Sequence, residues 1–472
     1  MKLESIYVEE TIERTKKLLA EDPNVSPALS SSIELLLILV TILINRLGLN
    51  SQNSSKPPST DPNRDKKKKI NNGRKPGGQK GHEGATLEKI SDPDFIKDIP
   101  LDKAILPKGK YKEIGFVSRQ VIDVDISRVV TEYRAQVLED NNGKQYTAAF
   151  PEGVNRAVQY GTNLKAHSVY MSQYQLIPYN RIEEHFHDQA DIQISSGSVF
   201  NFNQEAYEKL IHFEDIVKSK LINSYLCHVD ETGININGKR LWLHSASNDC
   251  WTYYFPHEKR GSDAMDTMGI LPDFKGVLCH DHWKPYFKYD CMHALCNAHH
   301  LRELERAWEQ DKQKWAKKMK ALLLEINKAV DKAGGKLTAN KSKIYRRKYR
   351  DLLHEAQKEC PPPDESQRKG KRGKLKRSKS RNLLERLIDY ETETLLFMND
   401  QEVPFSNNQG ENDIRMTKVQ QKISGCFRSM NGALIFCRIR SYLSTCKKND
   451  VKASDALRLL FEGKLPDFLN EQ

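Results

Sequence analysis

No cysteine precedes Cys227, and the nine cysteines from there on follow no repeating spacing. This excludes a disulfide framework and implies a reducing, cytoplasmic setting. It also excludes zinc held by thiolates anywhere before Cys227. Residues Met1 to Ala20 lack the apolar core of a secretory signal. No uninterrupted apolar run reaches the ~20 residues that span a bilayer. The longest, Leu35–Ile44 within Ile33–Leu47, is bounded by Glu34, Asn45 and Arg46. It is expected to pair with its copy in another subunit or to pack on its own chain, not to enter a membrane. Acids are in deficit, 63 against 75 basic residues, for a net charge of +12 and a pI of about 9.0. That balance suits a polyanionic partner, although composition alone is weak support.

What is present divides the 472 residues into segments of different character. Residues 1–49 read as two helices, an oligomerisation segment, broken at Asp22-Pro23 and Ser26-Pro27 and stopped at Gly48. Residues 50–94 are polar, rich in Pro and Gly, and basic, with Lys66, Lys67, Lys68, Lys69, Arg74, Lys75 and Lys80 clustered. Such sequence cannot bury a core and is expected to lie along DNA phosphates, the alternative being a solvated linker. Residues 95–150 alternate at Phe116-Val117, Val121 to Val124, Val129-Val130 and Tyr133 to Val137, with a turn at Asn141-Asn142-Gly143. They predict a small β-rich module. Residues 151–222 pattern as a helical connecting and DNA-binding region.

A core is expected to begin in residues 223–300. Tyr225 to Asp230, Lys239 to Ala246, Trp251 to Phe255 and Gly276 to Asp281 read as strands, with a hairpin turn at Asn237-Gly238 and a short helix over 261–269. A helix starts near Asn297. Residues 301–402 form a helical insertion whose basic loop follows Pro361-Pro362-Pro363. Its Arg368, Lys369, Lys371, Arg372, Lys376 and Arg377 are a second candidate phosphate contact. Residues 403–472 complete the core and add carboxy-terminal helices. The fold class expected is multidomain α+β, with a mixed sheet in the strand order of an RNase H-like core. Other α+β folds share that order.

Apolar strands deliver two acids, Asp230 and Asp281, to the sheet edge. Neighbouring carboxylates of this kind suit a hard cation such as Mg²⁺, which prefers oxygen ligands. Glu411 is the candidate third acid, in the first turn of a helix that Ser406 to Asn408 could cap. Taken singly each acid is more often a turn or cap residue, and Glu231 and Asp413 are local rivals.

The motifs around these acids resemble the insertion-sequence-66 family of transposases. Val229-Asp230-Glu231-Thr232-Gly233, His280-Asp281, Cys296 to Leu304, Asn407 to Glu411 and Lys418 to Arg428 carry the resemblance. So do Asn53 to Ser59, Arg74 to His82, Gln159-Tyr160-Gly161 and Leu176 to Arg181, so it covers nearly the whole chain. The resemblance implies a DDE transposase with an RNase H-like core and a helical insertion between the second Asp and the Glu. Asp230, Asp281 and Glu411 would be catalytic and bind two Mg²⁺ ions, with Mn²⁺ able to substitute. DNA, as terminal inverted repeats and as target, would be the partner of a homo-oligomer working with small accessory proteins. Cys296 and His299 match a Cys-x-x-His signature, taken as a structural feature of the core. They are half of a zinc pattern with no second half downstream, and Cys291 and His293 stand too close upstream.

The chain departs from the family in three places. The usual four-cysteine zinc module is absent, so no zinc is expected there. Ser406 stands for an Asp, and Asn412 for an Arg that would add a phosphate contact. The competing readings are an inactive or repurposed DNA-binding relative and a different RNase H-like nuclease.

Overall fold

A computed structural model describes residues 2–3, 6–22, 25–54, 61, 87–102, 105–112, 114–364 and 375–470. Lys66, Lys67, Lys68, Lys69, Arg74, Lys75 and Lys80 lie outside the described residues, as do Arg368, Lys369, Lys371 and Arg372.

A short strand pair, β1 (Lys2–Leu3) and β2 (Ile6–Tyr7), precedes α1 (Val8–Glu21) and α2 (Pro27–Leu47). The N–H of Leu29 donates to the Ser26 hydroxyl and Pro27 fills the first turn, which fixes the start of α2. None of its 21 residues is buried. By length and composition alone α2 could cross a membrane. The sequence count fell short because it stopped at Glu34 and Asn45, which the helix carries through.

Residues 95–150 correct the expectation of a β-rich module. Their only described strands are β3 (Val137–Glu139) and β4 (Gln145–Thr147), an antiparallel hairpin turned at Asn141-Asn142-Gly143. Gly143 takes φ +79° there, and the Asp140 carboxylate accepts the N–H groups of Asn142 and Lys144. Phe116, Val117 and Val121 are 93%, 94% and 93% exposed and belong to no strand. Alternation suits a strand, but a strand also needs a neighbour for its N–H and C=O groups, and no described strand runs beside them.

Helices α3 (Thr162–Val169), α4 (Tyr179–Ala190), α5 (Ser196–Lys209) and α6 (Ile211–Ile222) follow, as the pattern predicts. They lead into a five-stranded sheet of β5 (Leu226–Ile236), β6 (Lys239–Ser247), β7 (Thr252–His257), β8 (Val277–His280) and β9 (Met292–Leu295). The spatial order is β7-β6-β5-β8-β9. The first three strands are antiparallel, and β8 and β9 run parallel to β5. Asn237 and Gly238 both take positive φ in the β5–β6 turn, as a tight hairpin requires. α7 (Ser262–Met268) makes the crossover to β8. Gly276 admits no side chain at the start of β8, since a Cβ would lie 2.4 Å from the Tyr225 carbonyl oxygen.

Helices cover both faces of the sheet. Cys227, Val229, Ala246, Tyr253 and Leu278 point into a core shared with α3 to α6, α14 (Met430–Lys448) and α15 (Ala453–Phe461). On the opposite face Val277, Cys279 and Ala294 meet the inserted helices α8 (Asn297–Glu309), α9 (Lys314–Lys332), α10 (Ala339–Glu359), α11 (Lys379–Asp389) and the short α12 (Glu391–Thr394). Ile234, Ile236, Leu243 and Tyr254 continue that face beneath α13 (Asn408–Ser424). Hydroxyls of α14 satisfy the edge strand: Ser441 accepts the N–H of Tyr254 at 2.9 Å and Thr445 that of Thr252 at 3.1 Å. The edge is thereby closed to further strand pairing.

Candidate active site

Strand register brings the first two acids together. β5 pairs with β8 from Leu226↔Val277 to His228↔Cys279. The same offset carried two residues further sets Asp230 beside Asp281, on strands about 4.8 Å apart. Asp230 does not end its strand, as the sequence suggested. It pairs with Ser245 of β6 midway along β5, at the level where β8 has stopped. Side chains alternate along β5, so Asp230 faces away from the Cys227–Val229 core and toward α8 and α13.

Burial is the chief influence on Asp230, and Glu231, Asp281 and Glu411 add like charge to it. Together they push its carboxyl up to about 8. Among the described residues neither Asp230 nor Asp281 forms an ion pair. One Asp281 oxygen accepts the N–H of Trp283 at 2.9 Å. Glu231 is committed differently. Its side chain is 2% exposed, accepts from Arg260 Nε at 3.0 Å and accepts a hydrogen bond from the Tyr286 hydroxyl at 2.5 Å. Burial and Asp281 push its carboxyl up, and Tyr286 and Arg260 oppose them. Arg260 is held by ring faces, 4.9 Å from the Trp242 centroid and 4.3 Å from that of Trp283. Glu231 therefore ties β5 to the α7 side of the sheet.

Glu411 arrives on the first turn of α13, as expected. The cap differs from expectation: Asn407 is the N-cap residue but makes no side-chain cap bond. Its amide donates instead to the Val229 carbonyl at 2.8 Å, and its oxygen meets His228 Nδ1 at 2.7 Å. The Asn407 N–H points at Cys296 Sγ, 3.1 Å away. Asn407, 1% exposed, thus links β5 just before Asp230, the head of α8 and the helix bearing Glu411. Sequence reasoning missed this residue's role, though it sits in the Asn407-Asn408 pair the motif contains.

The head of α8 supplies two more neighbours that sequence reasoning did not assign to this site. Arg302 donates to Glu411 Oε1 at 3.3 Å, and His299 Nδ1 lies 3.7 Å from the same oxygen. Burial holds His299 below the usual imidazole range, Arg302 adds to that, and Glu411 and Asp281 oppose it. His299 and Cys296 therefore stand beside the acids as well as in the core. His293 turns elsewhere, meeting His280 Nε2 at 3.1 Å. Asp413, the local rival of Glu411, pairs with Lys448 at 2.8 Å. Of the basic-loop candidates within the described residues, Lys376 is exposed and Arg377 pairs with Glu385. Asn412 is exposed.

The architecture is a mixed α/β core with acids from β5, from the end of β8 and from α13 gathered on one face. A family described as the IS66 family of transposases matches residues 157–434, more than half of the chain. The chain belongs to that family. A second family, of unknown function (DUF6444), matches residues 5–88, which hold α1, α2 and most of the basic segment. No curated protein matches the chain.

Proposed function

We propose that the chain is a DNA transposase that cleaves at the ends of an insertion element and joins them to target DNA, using Asp230, Asp281 and Glu411. The observation that carries this reading is a cluster of carboxylates that outnumbers the cations paired with it. Three carboxylates from three separate elements share one face; Arg302 pairs with Glu411, but among the described residues neither Asp230 nor Asp281 has an ion-pair partner, and burial together with the other acids opposes the charge on Asp230. The sheet order and the crossover through α7 support an RNase H-like core.

The donor set fits two Mg²⁺ ions, with Mn²⁺ as a substitute, because all three donors are hard oxygens. Bound there, the ions would supply Lewis acidity to the attacking and leaving oxygens of an in-line displacement. The protein's part is to hold Asp230 and Asp281 on rigid neighbouring strands and to fix Glu411 through Asn407 and Arg302. Water first opens a phosphodiester at the element end, leaving a 3′-hydroxyl. That hydroxyl then displaces a 3′-oxygen in the target, so one P–O bond forms as another breaks.

Two element ends require at least two copies of the chain, and the unburied α2 suits their pairing. Deleting residues 1–49 is expected to reduce the sedimenting species to a smaller one. An unchanged oligomer would return α2 to another role. The basic segments around Lys66–Lys69 and Arg368–Arg377 would follow DNA phosphates, and small accessory proteins would act beside the chain.

A second reading, a DNA-binding relative without cleavage, draws on Asn412, which is exposed where the family pattern carries an Arg. The deciding experiment is strand cleavage in Mg²⁺ or Mn²⁺ on DNA carrying the sequences that flank the gene. Wild type should cut and join, while Asp230→Asn and Asp281→Asn should bind that DNA equally well and cut at background level. Tight binding without cleavage by wild type would favour the second reading.

A further inference from the structure

We propose that Cys296, His299 and Glu411 form a site for a soft divalent ion of the Zn²⁺ class, sharing Glu411 with the acid pair. One ligand atom from each lies within 4.8 Å of the other two. Ligands of a tetrahedral zinc stand roughly 3.3–3.8 Å apart, given its bond lengths. The His299 Nδ1 to Glu411 Oε1 separation of 3.7 Å already meets that spacing. It is too long for a hydrogen bond, and Nδ1 is buried with no hydrogen-bond partner among the described residues. An imidazole nitrogen 3.7 Å from a carboxylate oxygen, in a cluster that also holds a thiol within 4.8 Å, is arranged as a ligand.

The backbone builds the same site. Cys296 is the N-cap of α8 and His299 follows three residues later, so both side chains sit on its first turn. Cys296 is 1% exposed, and its Sγ accepts the N–H of Asn407, which fixes the sulfur at the head of α8. A Cys-x-x-His turn ordinarily finds its remaining zinc ligands in a second Cys or His pair. The third ligand is instead a carboxylate from α13, which folding brings to the head of α8. Three protein ligands leave a fourth position for water or a DNA oxygen.

The ion chemistry differs from that of Asp230 and Asp281, which offer oxygen alone. A soft ion at this site would draw Glu411 toward α8 and away from the acid pair. Arg302 competes for the same oxygen, so Arg302→Gln should tighten the ion.

The test uses Co²⁺ as the probe, titrated into the full chain after chelation, in saturating Mg²⁺. Wild type should develop the near-ultraviolet thiolate-to-cobalt absorption at one ion per chain, and equimolar Zn²⁺ should erase it. Cys296→Ser should lack the band, and His299→Gln should need more than ~10-fold more Co²⁺, since even the partners of ligands are worth that much. No band in wild type, or a band that survives Cys296→Ser, overturns the proposal. If Cys296→Ser loses its far-ultraviolet dichroism, His299→Gln decides, and an unchanged titration overturns the proposal. Asp230→Asn should keep the band whether or not wild type cleaves DNA, which separates this site from the cleavage reading.

Discussion

Residues 226–295 and residues 105–150 carry similar alternating apolar patterns and meet opposite fates. In the first, five strands find partners and bury Val229, Leu243, Ala246 and Leu278 between helical layers. In the second, a hairpin of two three-residue strands is the only described sheet, and Phe116, Val121 and Val129 face solvent. The difference teaches that alternation proposes a strand and pairing decides it. β5 succeeds because it has β6 on one side and β8 on the other, with covering helices on both faces.

Substitution of matched residues sharpens this contrast most. Phe274 is fully buried under the sheet, so Phe274→Ala should cost about 3–5 kcal/mol in denaturant unfolding. Phe116→Ala, at a 93% exposed position, should stay within about 0.5 kcal/mol of wild type. Equal losses at both sites would mean that residues 105–150 possess a core of their own.

A second effect is expected where burial works against the fold. Burial, helped by Glu231, Asp281 and Glu411, raises the Asp230 carboxyl to about 8, above the ~3.9 of an unfolded chain. Between those values the folded protein holds a proton that the unfolded chain releases. Stability of the metal-free protein should therefore fall as pH rises from about 4 to about 8. Asp230→Asn should flatten that slope and raise the melting temperature above pH 7, and Mg²⁺ should stabilise wild type more than the variant. A variant less stable than wild type at every pH would contradict the crowding of these acids.

The smallest structural effect belongs to the basic segment. Replacing Lys66 to Lys69 with Ala should leave the melting temperature unchanged. It should reduce the salt slope of DNA binding by as much as ~3–4, close to one per lost phosphate contact. An unchanged slope would remove these lysines from the DNA path.

Much of the core was legible from the sequence. The breaks before α2, the β5–β6 hairpin at Asn237-Gly238, the β8 strand and the start of α8 at Asn297 all follow from turn and cap chemistry, which is local. The strand β9 escaped because Met292–Leu295 is only four residues long and its pattern is no stronger than that of a loop. Glu231 read as a rival to Asp230 until Arg260 and Tyr286, 29 and 55 residues away, were seen to hold it.

The sequence by itself determined which residue types this protein can bring to a site and the order in which they arrive. The acids at 230, 281 and 411, the Cys-x-x-His turn and the basic stretches are written there. Only the tertiary structure decided which of them meet. Asn407 bridging Val229 and Cys296, and His299 turning toward Glu411, 112 positions further along the chain, depend on α13 crossing the sheet at one place. That crossing is set by the burial of Ile414 against Ile234, Ile236 and Leu243. Contacts between distant residues follow from how whole faces pack, and no local pattern encodes them.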